Sequence, residues 1–259
     1  MKPKLVILFS VIVLIPLGLL AWLGIRMNQD EFRKSAAHLR KLHTEKLDEW
    51  SNRVGETMDE LERSLLASTE SFTLDHEAIR TYVRTTPGIG QMMVVDQNQG
   101  IRHPPKNLTQ TESEFLQRIF PYLQQYPSLH PPMESPGDLP EYGWNHWYYG
   151  SGAQFLFWRR LSSGYTVGIE VPRPVMLSRV IDVLPEEASS SAYQLLDGGG
   201  NNMYRWGSYS GEVAVASLTL QTPLNIWTLE AFGARPPTSG LASVAPTLIG
   251  IAIVIVITA

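Results

Sequence analysis

The residues best suited to hold a ligand are concentrated in positions 144–160. Trp144, Asn145, His146, Trp147, Tyr148 and Tyr149 are followed closely by Phe155, Phe157, Trp158, Arg159 and Arg160. Aromatic walls beside a fixed guanidinium suit a small carboxylate or similar anion, because the planar fork of Arg can meet two oxygens at once. Strand alternation over residues 154–160 sets Trp158 and Arg160 on one face and Phe155, Phe157 and Arg159 on the other. Trp147, Tyr149, Trp158 and Arg160 are therefore the candidate ligand-binding residues, with Arg160 as the anionic contact. The same pattern also fits a plain core strand whose arginines are solvated.

Other chemistry finds little support. The six histidines (His38, His43, His76, His103, His130, His146) are scattered without HxxxH or HExxH spacing, and there is no cysteine. Gly198-Gly199-Gly200 has no helix start or Lys after it and reads as a turn, not a phosphate loop. No catalytic residue, metal ligand or cofactor is assigned.

The elements that must position the cluster are readable from periodicity. Residues 30–70 contain no Pro and repeat apolar residues every three or four positions (Leu47, Trp50, Val54, Met58, Leu61, Leu65), the mark of a long amphipathic helix. It fits a stalk paired with a second copy or a helix packed on its own domain. His43 interrupts that stripe as a tolerated seam residue. A short helix is expected over 75–84 and another over 111–126, opened by a Thr-Glu-Ser-Glu cap. Residues 91–95 form a β run that ends in Asp96-Gln97-Asn98-Gln99-Gly100, a turn sequence. Strands at 154–160 and 165–171 flank a hairpin turn, and a helix over 172–184 follows. The pattern then repeats: a β run at 192–196, the turn Asp197-Gly198-Gly199-Gly200, and strands near 203–206, 212–220 and 225–232.

Two uncharged apolar stretches bracket this middle, at residues 5–25 and from 236 to the end. About 20 such residues suffice for a membrane-spanning helix. Lys2 and Lys4 on the short flank place the N-terminus in the cytoplasm. Residues 28–240 are then periplasmic, in a bacterial inner membrane. The 21 basic residues less Lys2, Lys4 and Arg26 leave 18 against 25 acidic ones, a net of −7 for the middle. That balance argues against nucleic acid and against docking on anionic lipid. The lack of cysteine in a domain of this size suits a bacterial periplasm. The expected organisation is a cytoplasmic N-terminus (1–4), transmembrane helix 1 (5–25), a stalk helix (26–71), a membrane-distal unit (72–171), a connecting helix (172–187), a small proximal unit (188–235) and transmembrane helix 2 (241–259). Cytoplasmic sequence is expected beyond Ala259.

This layout resembles the double-Cache periplasmic sensor, with tandem PAS-like units, of bacterial transmembrane receptors. The likeness is carried by MMVVDQNQG, by FLFWRRLSSGYTVGIEVPRPVMLSRVIDVLP, and by LLDGGGNNMYRWGSYS followed by LTLQTPLNIWTLEAF. The order of these pieces particularly resembles that in sensor histidine kinases. The resemblance implies an α+β fold: two transmembrane helices flanking a long N-terminal helix and two tandem PAS/Cache-like antiparallel β units. It also implies a homodimer, a response regulator reached through output domains outside this chain, and a ligand pocket in the distal unit. The proximal unit is expected to be too short to enclose ~300 Å³. The same architecture serves chemotaxis receptors and cyclic-dinucleotide synthases. A tethered structural or assembly protein is the alternative of a different class.

Overall fold

The computed structural model describes residues 3–70, 72–130, 140–150, 152–185, 191–211 and 213–233; before residue 33 only some side chains are described. Helix α1 (Pro3–Glu70) is followed by α2 (His76–Thr85), β1 (Met92–Val95), β2 (Ile101–His103) and α3 (Gln110–Gln125). Then come β3 (Tyr142–Tyr149), β4 (Gly152–Arg160), β5 (Thr166–Val171) and α4 (Arg173–Val183). Strands β6 (Ser191–Leu196), β7 (Asn202–Gly207), β8 (Ala216–Thr219) and β9 (Thr228–Gly233) complete the described chain. Two antiparallel sheets result, with strand orders β2-β1-β5-β4-β3 and β7-β6-β9-β8. The fold is α+β.

The expected class is corrected in one respect. Among the described residues no helix is long and apolar enough to cross a membrane, against the two transmembrane helices expected at 5–25 and 241–259. The described side chains of α1 from residue 33 on set apolar residues every third or fourth position between charged ones. That pattern makes a stripe for packing, not a uniformly apolar belt. Residues 241–259 lie outside the described residues, as do the side chains of most of 5–25.

The stripe is spent inside the chain. Leu47, Trp50, Val54, Met58, Leu61 and Leu65 are all buried in one core with residues of both sheets, so this face packs on its own domain and not on a second copy. Near its middle α1 meets the second sheet: Trp50 stands edge-on to Tyr193 at 4.5 Å, and the Tyr193 hydroxyl lies 3.2 Å from His43 Nδ1. The seam histidine is thus a buried partner of the sheet. Further along, α1 meets the first sheet, where Trp144 Nε1 donates to Glu62 (2.9 Å) and Arg159 Nη1 donates to the Leu66 carbonyl (2.8 Å). Phe155 of β4 packs edge-on against Trp227 at 5.4 Å, joining the two sheets directly.

The far face of the first sheet is covered by α3. Met93, Val95, Leu156 and Trp158 pack there against Phe115, Ile119 and Tyr122. The helix opens with a reciprocal capping box: Thr109 Oγ1 accepts from Glu112 N, and Glu112 accepts from Thr109 N. The box stands two residues ahead of the expected Thr111, and its Glu112 also accepts from Arg80 of α2.

Candidate functional site

The four candidate residues share the α3-facing side of the first sheet, but they do not converge. Trp147 and Tyr149 lie at one end, opposite Gln154 and Gly152, and Trp158 lies opposite Gly143. At ~3.3 Å per residue, Arg160 sits about 26 Å along β4 from Gly152. Trp147 is buried against Tyr122 at 5.3 Å, and its Nε1 donates to the Arg118 carbonyl at 2.8 Å. Tyr149 is half-buried against the same cluster. Trp158 is buried beside His130, ring centres 5.4 Å apart. Arg160 is half-buried, and its Nη1 and Trp158 Nε1 are shielded and find no hydrogen-bond partner among the described residues. Arg159, on the opposite face, is structural: besides α1 it binds Glu141 at 2.9 Å.

The guanidinium at the Trp147 end comes from α3. Arg118 Nη2 donates to both carboxylate oxygens of Glu170, at 2.9 and 3.0 Å, and Nε reaches Oε1 at 3.3 Å. Among the described residues no hydrogen bond engages its Nη1. Glu170 lies on β5 and is only 3 % exposed. Burial pushes its carboxyl pKa up, and the Arg118 bond and charge oppose that shift. Gly90 closes over this pair: its N–H donates to the Glu170 carbonyl at 2.8 Å. A Cβ at Gly90 would stand 2.7 Å from Glu170 Oε2, so the close approach requires glycine.

Arg118 and Glu170 form part of the wall of a cavity of about 330 Å³, together with Gln91, Thr111, Gln154 and Arg173 among others. Its size suits a small molecule. Arg118 and Arg173 stand against Glu114 and the already paired Glu170, with amide and hydroxyl groups between them. Such a lining can bind and orient a small anionic or dipolar solute. Sequence reasoning missed Arg118 and Glu170. They stand 52 positions apart, and the only local signal was an acid inside the apolar run Thr166–Val171.

A second hollow, of about 480 Å³, lies where the β3–β4 turn meets the second sheet, lined by Tyr148, Asp197, Thr219, Asn225 and Glu230 among others. The proximal unit does not enclose this space alone: Tyr148 of the first sheet supplies one of its walls. Its acids are engaged: Asp197 accepts from Gly199 N and Asn201 N, both at 2.9 Å, and Glu230 accepts from Gln194 at 2.8 Å.

No family model matches the chain, and no curated protein matches it significantly.

Proposed function

We propose that this chain is a signal-sensing input module that acts outside the cytoplasm, of the kind that drives a sensor histidine kinase. Its ligand is a small carboxylate taken up between the first sheet and α3. The observation that carries this reading is the buried Arg118–Glu170 pair in the wall of a cavity of about 330 Å³. Glu170 holds the guanidinium in one orientation and leaves Nη1 for the ligand, so the site is arranged before the ligand arrives. A double-Cache layout accords with the two antiparallel sheets joined along one helix. Because α1 packs on both sheets, a shift of the first sheet on ligand binding reaches the second through the same helix. The anionic contact thus moves from Arg160 to Arg118.

A thermal-shift screen with small mono- and dicarboxylates tests the reading. A hit should be lost in Arg118→Lys, which keeps the charge but not the fork geometry, and kept in Arg160→Ala. A hit that survives Arg118→Lys and disappears in Arg160→Ala would return the site to the strand cluster. No hit at all, with the protein folded, would remove the small-carboxylate reading.

A further inference from the structure

We propose that His76 and His103 bind a borderline divalent cation (Zn²⁺, Cu²⁺ or Ni²⁺) and thereby pin the start of α2 to strand β2. The two Nδ1 atoms face each other at 3.2 Å, with the rings stacked 22° from parallel. An N–H···N bond accounts for that distance, and so do two lone pairs directed at one ion. With metal–nitrogen bonds of ~2.0–2.1 Å, a 3.2 Å separation corresponds to an angle of about 100° at the metal, near tetrahedral.

The surroundings are compatible with either arrangement. His103 is buried, and its other ring nitrogen, Nε2, lies 3.8 Å from Glu112 Oε1. Arg80 Nε and Nη2 bind that carboxylate at 2.8 and 2.9 Å, and Thr109 N binds it at 2.7 Å. A proton on the Nε2 side, toward the carboxylate, leaves the His103 Nδ1 lone pair open to the His76 N–H or to an ion. Glu112 and Glu77 offset the charge of Arg80. Imidazole nitrogens select Zn²⁺, Cu²⁺ and Ni²⁺ over Mg²⁺ or Ca²⁺. His76 is half-exposed, so water can complete the shell. Among the described residues no group of three or more His, Asp or Glu surrounds a metal. The site is therefore a two-imidazole clamp of modest affinity that can exchange its ion. Neither histidine lines the Arg118 cavity, and the inference is independent of the proposed ligand.

The test is calorimetric titration of chelator-treated protein with Zn²⁺, Cu²⁺ and Ni²⁺, with electron paramagnetic resonance on the Cu²⁺ form. The expected result is one ion per chain with nitrogen coordination. His76→Ala should abolish it with the fold retained by circular dichroism and the metal-free melting temperature only slightly lowered, because His103 Nδ1 loses its partner. His38→Ala should bind as the unaltered protein does, and Glu112→Gln should weaken binding by about tenfold. Equal binding by His76→Ala and the unaltered protein would overturn the site. Failure of all three ions to bind the unaltered protein would do the same.

Discussion

Strand β1 enters its turn at Asp96 much as β6 enters its turn at Asp197. Asp96 Oδ1 accepts from Asn98 N and Gly100 N at 2.9 and 2.8 Å; Asp197 Oδ1 accepts from Gly199 N and Asn201 N at 2.9 Å each. These are the same Asx turn built on different residues. The orders β2-β1-β5-β4 and β7-β6-β9-β8 also correspond, strand for strand. The difference lies in what is added. The first sheet gains β3 and is covered by α3 over an apolar face, whereas the second carries Gln194 and Glu230 on the corresponding face, joined by a 2.8 Å bond. Where register places Glu170 in the first sheet, the second has Phe232, with the Arg205 guanidinium 5.1 Å from its ring. The shared frame does not make the Arg118 cavity; the covering helix does.

The largest effect should come from the seam between the sheets. Trp227 is fully buried against Phe155, and Trp227→Ala should cost about 3–5 kcal/mol. With one core running through both sheets, chemical denaturation should remain a single transition. Two separate transitions would break the picture of a shared core. Next, Arg118→Ala leaves Glu170 buried and unpaired and should cost about 3 kcal/mol, at the low end of such losses because Arg118 is partly exposed. The contrasting change on the second sheet, Glu230→Gln, should stay within about 0.5 kcal/mol. Equal costs would erase the distinction between the two outer faces.

The cover should also show itself in acid. Burial disfavours the Glu112 carboxylate, but the bonds from Arg80 and Thr109 outweigh it and hold the pKa at about 2, below the ordinary 4.5. A depressed carboxyl pKa stabilises the fold above about pH 5, and that contribution drains away as pH falls toward 2. Denaturant titrations at pH 5 and pH 3 should differ by about 2 kcal/mol from this group, and Glu112→Gln should remove that part of the difference. A smaller loss than that from Arg118→Ala is expected for Thr109→Ala, which removes one side of the α3 cap at a cost of about 1 kcal/mol.

The parts of this molecule that rest on local chemistry were legible in the sequence. The short helix expected over 75–84 forms as His76–Thr85, with Asp75 as its cap and not its first residue, and the two Asp turns stand where acid and glycine follow a β run. The α1 stripe was legible as a period, but its partner was not. A stripe of Leu, Trp, Val and Met fits a second helix or a sheet equally well, and here the sheets take it. The candidate site was legible only by region. Alternation put Trp158 and Arg160 on one face, but nothing local says that Arg160 lies at the far end of β4 from Tyr149. Arg118 and Glu170 meet only because α3 crosses back over β5, a contact that neither segment signals alone.

The central claim is that the first sheet and its covering helix form the sensing site while the second sheet shares only the frame. Hydrogen exchange with and without the strongest carboxylate hit measures this most directly. The strongest slowing of exchange is predicted in Gln110–Gln125 and Thr166–Val171, with smaller changes in Ser191–Leu196 and Asn202–Gly207, which α1 reaches only indirectly from the site. Protection confined to residues 194–201 and 225–230, around the hollow beside Tyr148, would contradict it.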